Sequence, residues 1–187
     1  LSQTTGAADI TRVAGSPRNA RFIRQFGNRL CTWGTFNSST YVSTEFQFSN
    51  LNLATTWSAI DRVALDETGD GAAGMESLDK VLILFKTRSS PVFVEITDNP
   101  DKPYSYIQAP GSFGLANARA FAKCGSRGVF WVSNANIFHF DDTRAPSPVG
   151  DAVMPQVGPN IGSANWFLGG YDTRRGNREA LYFLSNV

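Results

Sequence analysis

The stretch Arg21-Phe-Ile-Arg-Gln-Phe-Gly-Asn-Arg-Leu-Cys-Thr-Trp33 decides the fold class. Two short runs rich in aromatic and apolar residues, Phe22 to Phe26 and Arg29 to Trp33, flank Gly27-Asn28. That dipeptide takes positive φ at little cost, which is the chemistry of a tight antiparallel hairpin. Similar runs recur at Thr44 to Phe48, Val81 to Phe85, Val92 to Ile96, Val129 to Val132, Ile137 to Phe140, Trp166 to Gly169 and Ala180 to Leu184. Further turn chemistry stands at Gly125-Ser126, Ser133-Asn134 and Arg175-Gly176-Asn177. Almost no stretch keeps an apolar period of 3.6 residues, and 17 glycines and 9 prolines interrupt the chain. The pattern predicts an all-β protein built from antiparallel meanders.

Aligning the segments by their turns shows a weak internal repeat, with units opening near Arg21, Met75, Ala118 and Ala164. Successive units start about 45 to 55 residues apart, the length of a four-stranded β-propeller blade. The expected blades are 20–63, 74–110, 114–150 and 160–187, within a single domain 1–187 or a segment of a larger propeller. An isolated blade exposes two flat faces and must stack on neighbours to bury its apolar middle strands. The Pro- and Gly-rich segments Asp98–Phe113 and Pro146–Pro159 are expected to be long connections between blades. A β-sandwich or jelly roll is the alternative all-β architecture.

Composition narrows the chemistry. The 187 residues hold 17 Lys and Arg against 16 Asp and Glu, so net charge names no nucleic-acid partner. No apolar run approaches the roughly 20 residues of a membrane-spanning helix, and no membrane partner is expected. Leu1 is not an initiator methionine and no signal-peptide pattern follows it, as expected of a processed product or a segment of a longer chain. Two cysteines, Cys31 and Cys124, and one histidine, His139, are too few for a structural zinc site, and both cysteines read as small core residues. His139 alternates with Phe138 and Phe140 beside Asp141 and Asp142 and reads as a blade-surface residue rather than a general base. Asp61, Asp66, Glu67 and Asp70 precede Gly71 without the ligand spacing of a calcium loop, and read as a solvated acidic loop. No nucleophile elbow or phosphate-binding loop is present. No catalytic residue, metal ligand or cofactor is therefore expected. The 23 aromatic residues, with Trp33, Trp57, Trp131 and Trp166, fall mostly inside the apolar strand pattern and read as core, with sugar stacking as the alternative.

Charge is unevenly spread. Residues 1–60 carry Arg12, Arg18, Arg21, Arg24 and Arg29 against Asp9 and Glu45, whereas 61–101 are strongly acidic. Opposite patches on one rigid body suit self-assembly into a ring. Arg174, Arg175 and Arg178, together with Arg24 and Arg29, are the candidate contacts to DNA or to a neighbouring subunit.

Several phrases, in order, resemble the β-propeller proteins of tailed bacteriophages that sit below the portal: packaged-DNA stabilisation proteins, tail hubs and tail nozzles. They are the opening stretch from Arg21 to Leu30, Glu45-Phe-Gln-Phe-Ser-Asn, Trp57-Ser-Ala-Ile-Asp, and Leu78-Asp-Lys-Val-Leu-Ile-Leu-Phe-Lys-Thr-Arg-Ser. Gly114-Leu-Ala-Asn-Ala-Arg-Ala-Phe, Gly128-Val-Phe-Trp-Val-Ser, Ile137-Phe-His-Phe-Asp, Tyr171-Asp172 with Arg174 and Arg175, and Ala180-Leu-Tyr-Phe complete the series. The resemblance implies a non-enzymatic virion protein of the tail or head-to-tail region. Such a protein forms a homo-oligomeric ring on portal, adaptor or tail proteins, closes the DNA channel after packaging and opens it for ejection. Contact with viral double-stranded DNA would be non-specific and salt-dependent. A carbohydrate-binding propeller for host attachment and a β-sandwich capsid or decoration protein are the alternatives.

Overall fold

Gly27 and Asn28 adopt φ of 57° and 58°, so the chain reverses in two residues between β1 (Asn19–Phe26) and β2 (Arg29–Asn37). This is the hairpin read from the sequence. The computed structural model describes residues 19–37, 40–65, 70–142, 145–157, 165–173 and 178–186. With β3 (Thr40–Asn50) and β4 (Leu53–Ala64), the first hairpin extends into a four-stranded sheet in the order β1-β2-β3-β4. The next sheet repeats that order with β5 (Ala72–Ser77), β6 (Val81–Lys86), β7 (Val92–Ile96) and β8 (Tyr104–Gln108). A third runs through β9 (Phe121–Lys123), β10 (Val129–Val132), β11 (Ile137–Phe140) and β12 (Ser147–Pro148). A short helix, α1 (Met154–Val157), precedes a two-stranded sheet of β13 (Asn165–Thr173) and β14 (Arg178–Asn186). All strand pairings among the described residues are antiparallel, and the protein is all-β as expected.

Two expectations fail. The segment Asp98–Phe113, read as a connection, contains β8, which closes the second sheet; Pro146–Pro159 contains β12 and α1. Both strands are edges, and β8 turns Ile107 and Gln108 to solvent. One-sided, weakly apolar strands bounded by prolines lack the run of apolar residues that marks a central strand.

The middle strands show why the sheets stack. In β6 the side chains alternate between two cores: Leu82 and Leu84 join Cys31, Trp33, Phe46 and Phe48 of the first sheet, whereas Val81, Ile83 and Phe85 join Val129, Trp131 and Phe140 of the third. A six-residue strand buried on both sides reads as a continuous apolar run, as Val81 to Phe85 does. Each such side chain contributes about 1.5–3 kcal/mol relative to exposure. Phe93 stacks on Phe140 with centroids 4.4 Å apart, and Phe85 meets Trp131 edge-on at 5.5 Å.

The opening strands of the sheets lie next to one another. Arg21 of β1 donates to the Ala72 carbonyl at 2.7 Å, a Cβ on Gly74 of β5 would stand 2.7 Å from the Phe121 ring of β9, and β9 packs against β13. Lys123 Nζ adds a bond to the Ser77 carbonyl at 2.9 Å.

Candidate functional site

The β1–β2 hairpin carries two of the five arginines singled out from the sequence. Arg24 pairs with Glu76 of the second sheet at 3.5 Å, an exposed contact worth little by itself. Arg29 is half-buried: its Nη1 donates to the Ser49 carbonyl at 2.7 Å and its guanidinium lies 5.4 Å from the centre of the Phe48 ring. Arg178 opens β14, where its backbone pairs with Thr173. Arg174 and Arg175, with the turn Arg175-Gly176-Asn177, lie outside the described residues. The structure thus brings Arg24 and Arg29 onto one hairpin.

Around that hairpin Asn52, also left-handed at φ 58°, donates its amide to the Asn28 carbonyl at 2.9 Å and pins the β3–β4 turn to the β1–β2 turn. The two turns wall a polar cleft of about 310 Å³ lined by Gln25, Asn28, Arg29, Leu30, Asn52 and Ala54. Sequence reading identified Arg29 and the Gly27-Asn28 turn but not the partnership with Asn52. Their meeting depends on the pairing of non-adjacent turns, which leaves no local signal.

A second cleft, of about 370 Å³, runs between the second and third sheets, with Phe93, Ile107 and Phe140 as its apolar surface and Glu95, Gln108 and Asp142 as polar groups. Burial pushes the Asp142 carboxyl above its ordinary pKa; the Lys80 charge and amide oppose this, while Asp79 and Asp141 reinforce it. Asp142 itself sits at φ 70°.

The remaining candidates take structural places. His139 stacks on Phe130 at 4.4 Å and its Nε2 bonds the Arg127 carbonyl, which ties β11 to the turn before β10. Cys31 is fully buried, 3.5 Å from the Tyr104 hydroxyl, and burial pushes its thiol pKa up to about 12. Tyr104 in turn donates to the Phe26 carbonyl at 3.0 Å. Cys124 is buried and forms no disulfide, and Trp33, Trp57 and Trp131 are buried. Trp166 lies on β13, and its side chain is outside the described set. Among the described residues no group of three or more His, Cys, Asp and Glu side chains is placed to hold a metal ion, and no helix is long and apolar enough to cross a membrane.

One reading needs correction. Asp70, expected in a solvated acidic loop, is buried. Its carboxylate accepts the amides of Gly71 at 2.8 Å, Arg88 at 3.0 Å and Ser89 at 2.6 Å, and the Ser89 hydroxyl at 2.6 Å. Burial alone would raise its pKa, but these bonds together outweigh that and hold it below the ordinary carboxylate value. Asp70 therefore clamps the β6–β7 turn to the start of β5. Asp66 and Glu67 lie outside the described residues.

The chain matches no protein-family model and no curated protein.

Proposed function

We propose that this chain is a run of propeller-type blades in a non-enzymatic structural protein of a bacteriophage virion, in the tail hub, nozzle or head-to-tail region. There it helps form the DNA channel, retains packaged DNA and releases it on ejection. The observation that carries the blade reading is the side-by-side placement of the opening strands: β1 against β5, β5 against β9, and β9 against β13. A sandwich shares face-to-face sheets, but repeated meanders that each present the first strand to the next fit radial stacking. The virion assignment rests on the ordered phrases that resemble the phage propellers. A second sheet covered on both faces by its neighbours suits a part that works by shape and symmetric contact with portal, adaptor or tail proteins.

Native mass spectrometry tests the assembly, and virions depleted of the protein test its role. A ring of several copies, with depleted particles that package DNA but leak it, is the expected result. A 20.4 kDa monomer, or particles that hold their DNA without the protein, would sink the reading.

The cleft between the second and third sheets favours a second reading, a carbohydrate-binding propeller for host attachment. Its Ile107 and aromatic surface flanked by Glu95, Gln108 and Asp142 suits the apolar face and hydroxyls of a sugar. A glycan array without a hit above background removes it.

A further inference from the structure

We propose that the cleft formed by Gln25, Asn28, Arg29 and Asn52 is a binding site for a phosphate group, with Arg29 as its charged anchor. The proposal draws on the preceding functional reading only for the source of that phosphate, the backbone of packaged DNA.

Arg29 differs from Arg24 in what it binds and from Arg21 in where it sits. Arg24 has the Glu76 carboxylate. Arg21, like Arg29, holds a backbone carbonyl (Ala72) and lies over a phenyl ring (Phe22), but it is exposed and does not line the cleft. Arg29 spends one nitrogen on the Ser49 carbonyl and rests against the Phe48 ring, contacts that fix where its guanidinium sits. Among the described residues it has no carboxylate partner, and its other N–H groups find no acceptor. Among the described residues no Asp or Glu lines the cleft. A half-buried guanidinium with spare donors and no counter-charge raises the local potential and favours an anion.

The rest of the lining suits an oxyanion with several acceptor oxygens. Gln25, Asn28 and Asn52 supply carboxamide N–H donors, and the 2.9 Å bond between the two left-handed turns fixes the backbone on both sides. Arg presents several donors in a fixed fork that matches phosphate oxygens, and neutral amides complete such a shell without neutralising the charge. The volume of about 310 Å³ admits a phosphate with its attached sugar, so a phosphodiester can enter as well as a free ion.

The test is a proton–nitrogen NMR titration of the full chain with sodium phosphate, set against sodium chloride at matched ionic strength, and then with a short duplex DNA. Saturable shifts at Gln25, Asn28, Arg29 and Asn52 with phosphate and not chloride are expected. Arg29→Gln should weaken binding about tenfold or more, the value of a charge-assisted hydrogen bond. Asn52→Asp keeps a residue type that tolerates the left-handed turn but adds a repelling carboxylate, and should weaken binding even where Arg29→Gln perturbs folding. Lys102→Gln, which removes one positive charge from another turn, should leave the phosphate affinity unchanged. Phosphate and DNA shifting the same residues support the site and its nucleic-acid source. Phosphate binding without DNA binding upholds the site and removes the DNA source. Equal shifts with chloride, or affinity untouched by both cleft variants, overturn the site whatever the function of the whole protein.

Discussion

The indole Nε1 of Trp33 donates to the carbonyl oxygen of Phe85 at 3.0 Å, joining the second strand of one sheet to the second strand of the next. Both residues are almost fully buried, so water cannot replace the bond. Trp33→Phe should therefore cost about 1–3 kcal/mol from the lost donor, and Trp33→Ala about 3–5 kcal/mol once a cavity opens between the sheets. Urea denaturation of both variants measures this. A Trp33→Phe protein as stable as the parent would mean that the bond contributes nothing net.

Gly128 stands at φ 96° and ψ −150°, a region held essentially by glycine, and an added Cβ would lie 2.1 Å from the Phe140 carbonyl oxygen. Gly128→Ala combines backbone strain with a backbone clash and should cost about 3 kcal/mol or more. Gly71→Ala, where the nearest atom is the Thr87 hydroxyl at 3.0 Å, should be mild by comparison. A thermal melt ranks the two; equal losses would contradict the close approach at Gly128.

The depressed pKa of Asp70 makes its contribution pH-dependent in a defined direction. A carboxylate held below its unfolded value stabilises the fold fully above that value, near pH 4, and the stabilisation fades as pH falls through the folded value. Asp70→Asn should lose about 2 kcal/mol at pH 7 from weakened charged hydrogen bonds, and should flatten the stability profile below about pH 4. Denaturation midpoints taken across that range check both. A variant with the parent's acid slope would assign the slope to other carboxylates.

Cys31, with its thiol pushed up to about 12 and no solvent access, should resist alkylation by iodoacetamide at pH 8 while the protein is folded. Intact-mass measurement before and after denaturation reads the result. Labelling of the native protein at the rate of an exposed thiol would show that the interface between the first two sheets opens readily.

Much of the fold was legible locally. The β1–β2 hairpin was readable because Gly27-Asn28 names its own turn, and β6 because a strand covered on both faces must be apolar throughout. β8 and β12 were missed because an edge strand needs only one apolar face and tolerates proline beside it. Asp70 was misread for a related reason. Its partners, Arg88 and Ser89, stand 18 and 19 positions away in sequence, and an acidic residue beside glycine looks the same whether solvated or clamped.

The sequence by itself determined the all-β class, the antiparallel hairpins and the residues able to fill a core, because strand period and turn chemistry are local properties of neighbouring residues. Only the tertiary structure decided which face of each strand meets which sheet, that Trp33 reaches Phe85, and that Asn28, Arg29 and Asn52 share one cleft. Those relationships come from pairing and stacking between segments far apart in the chain, where no periodicity carries the information.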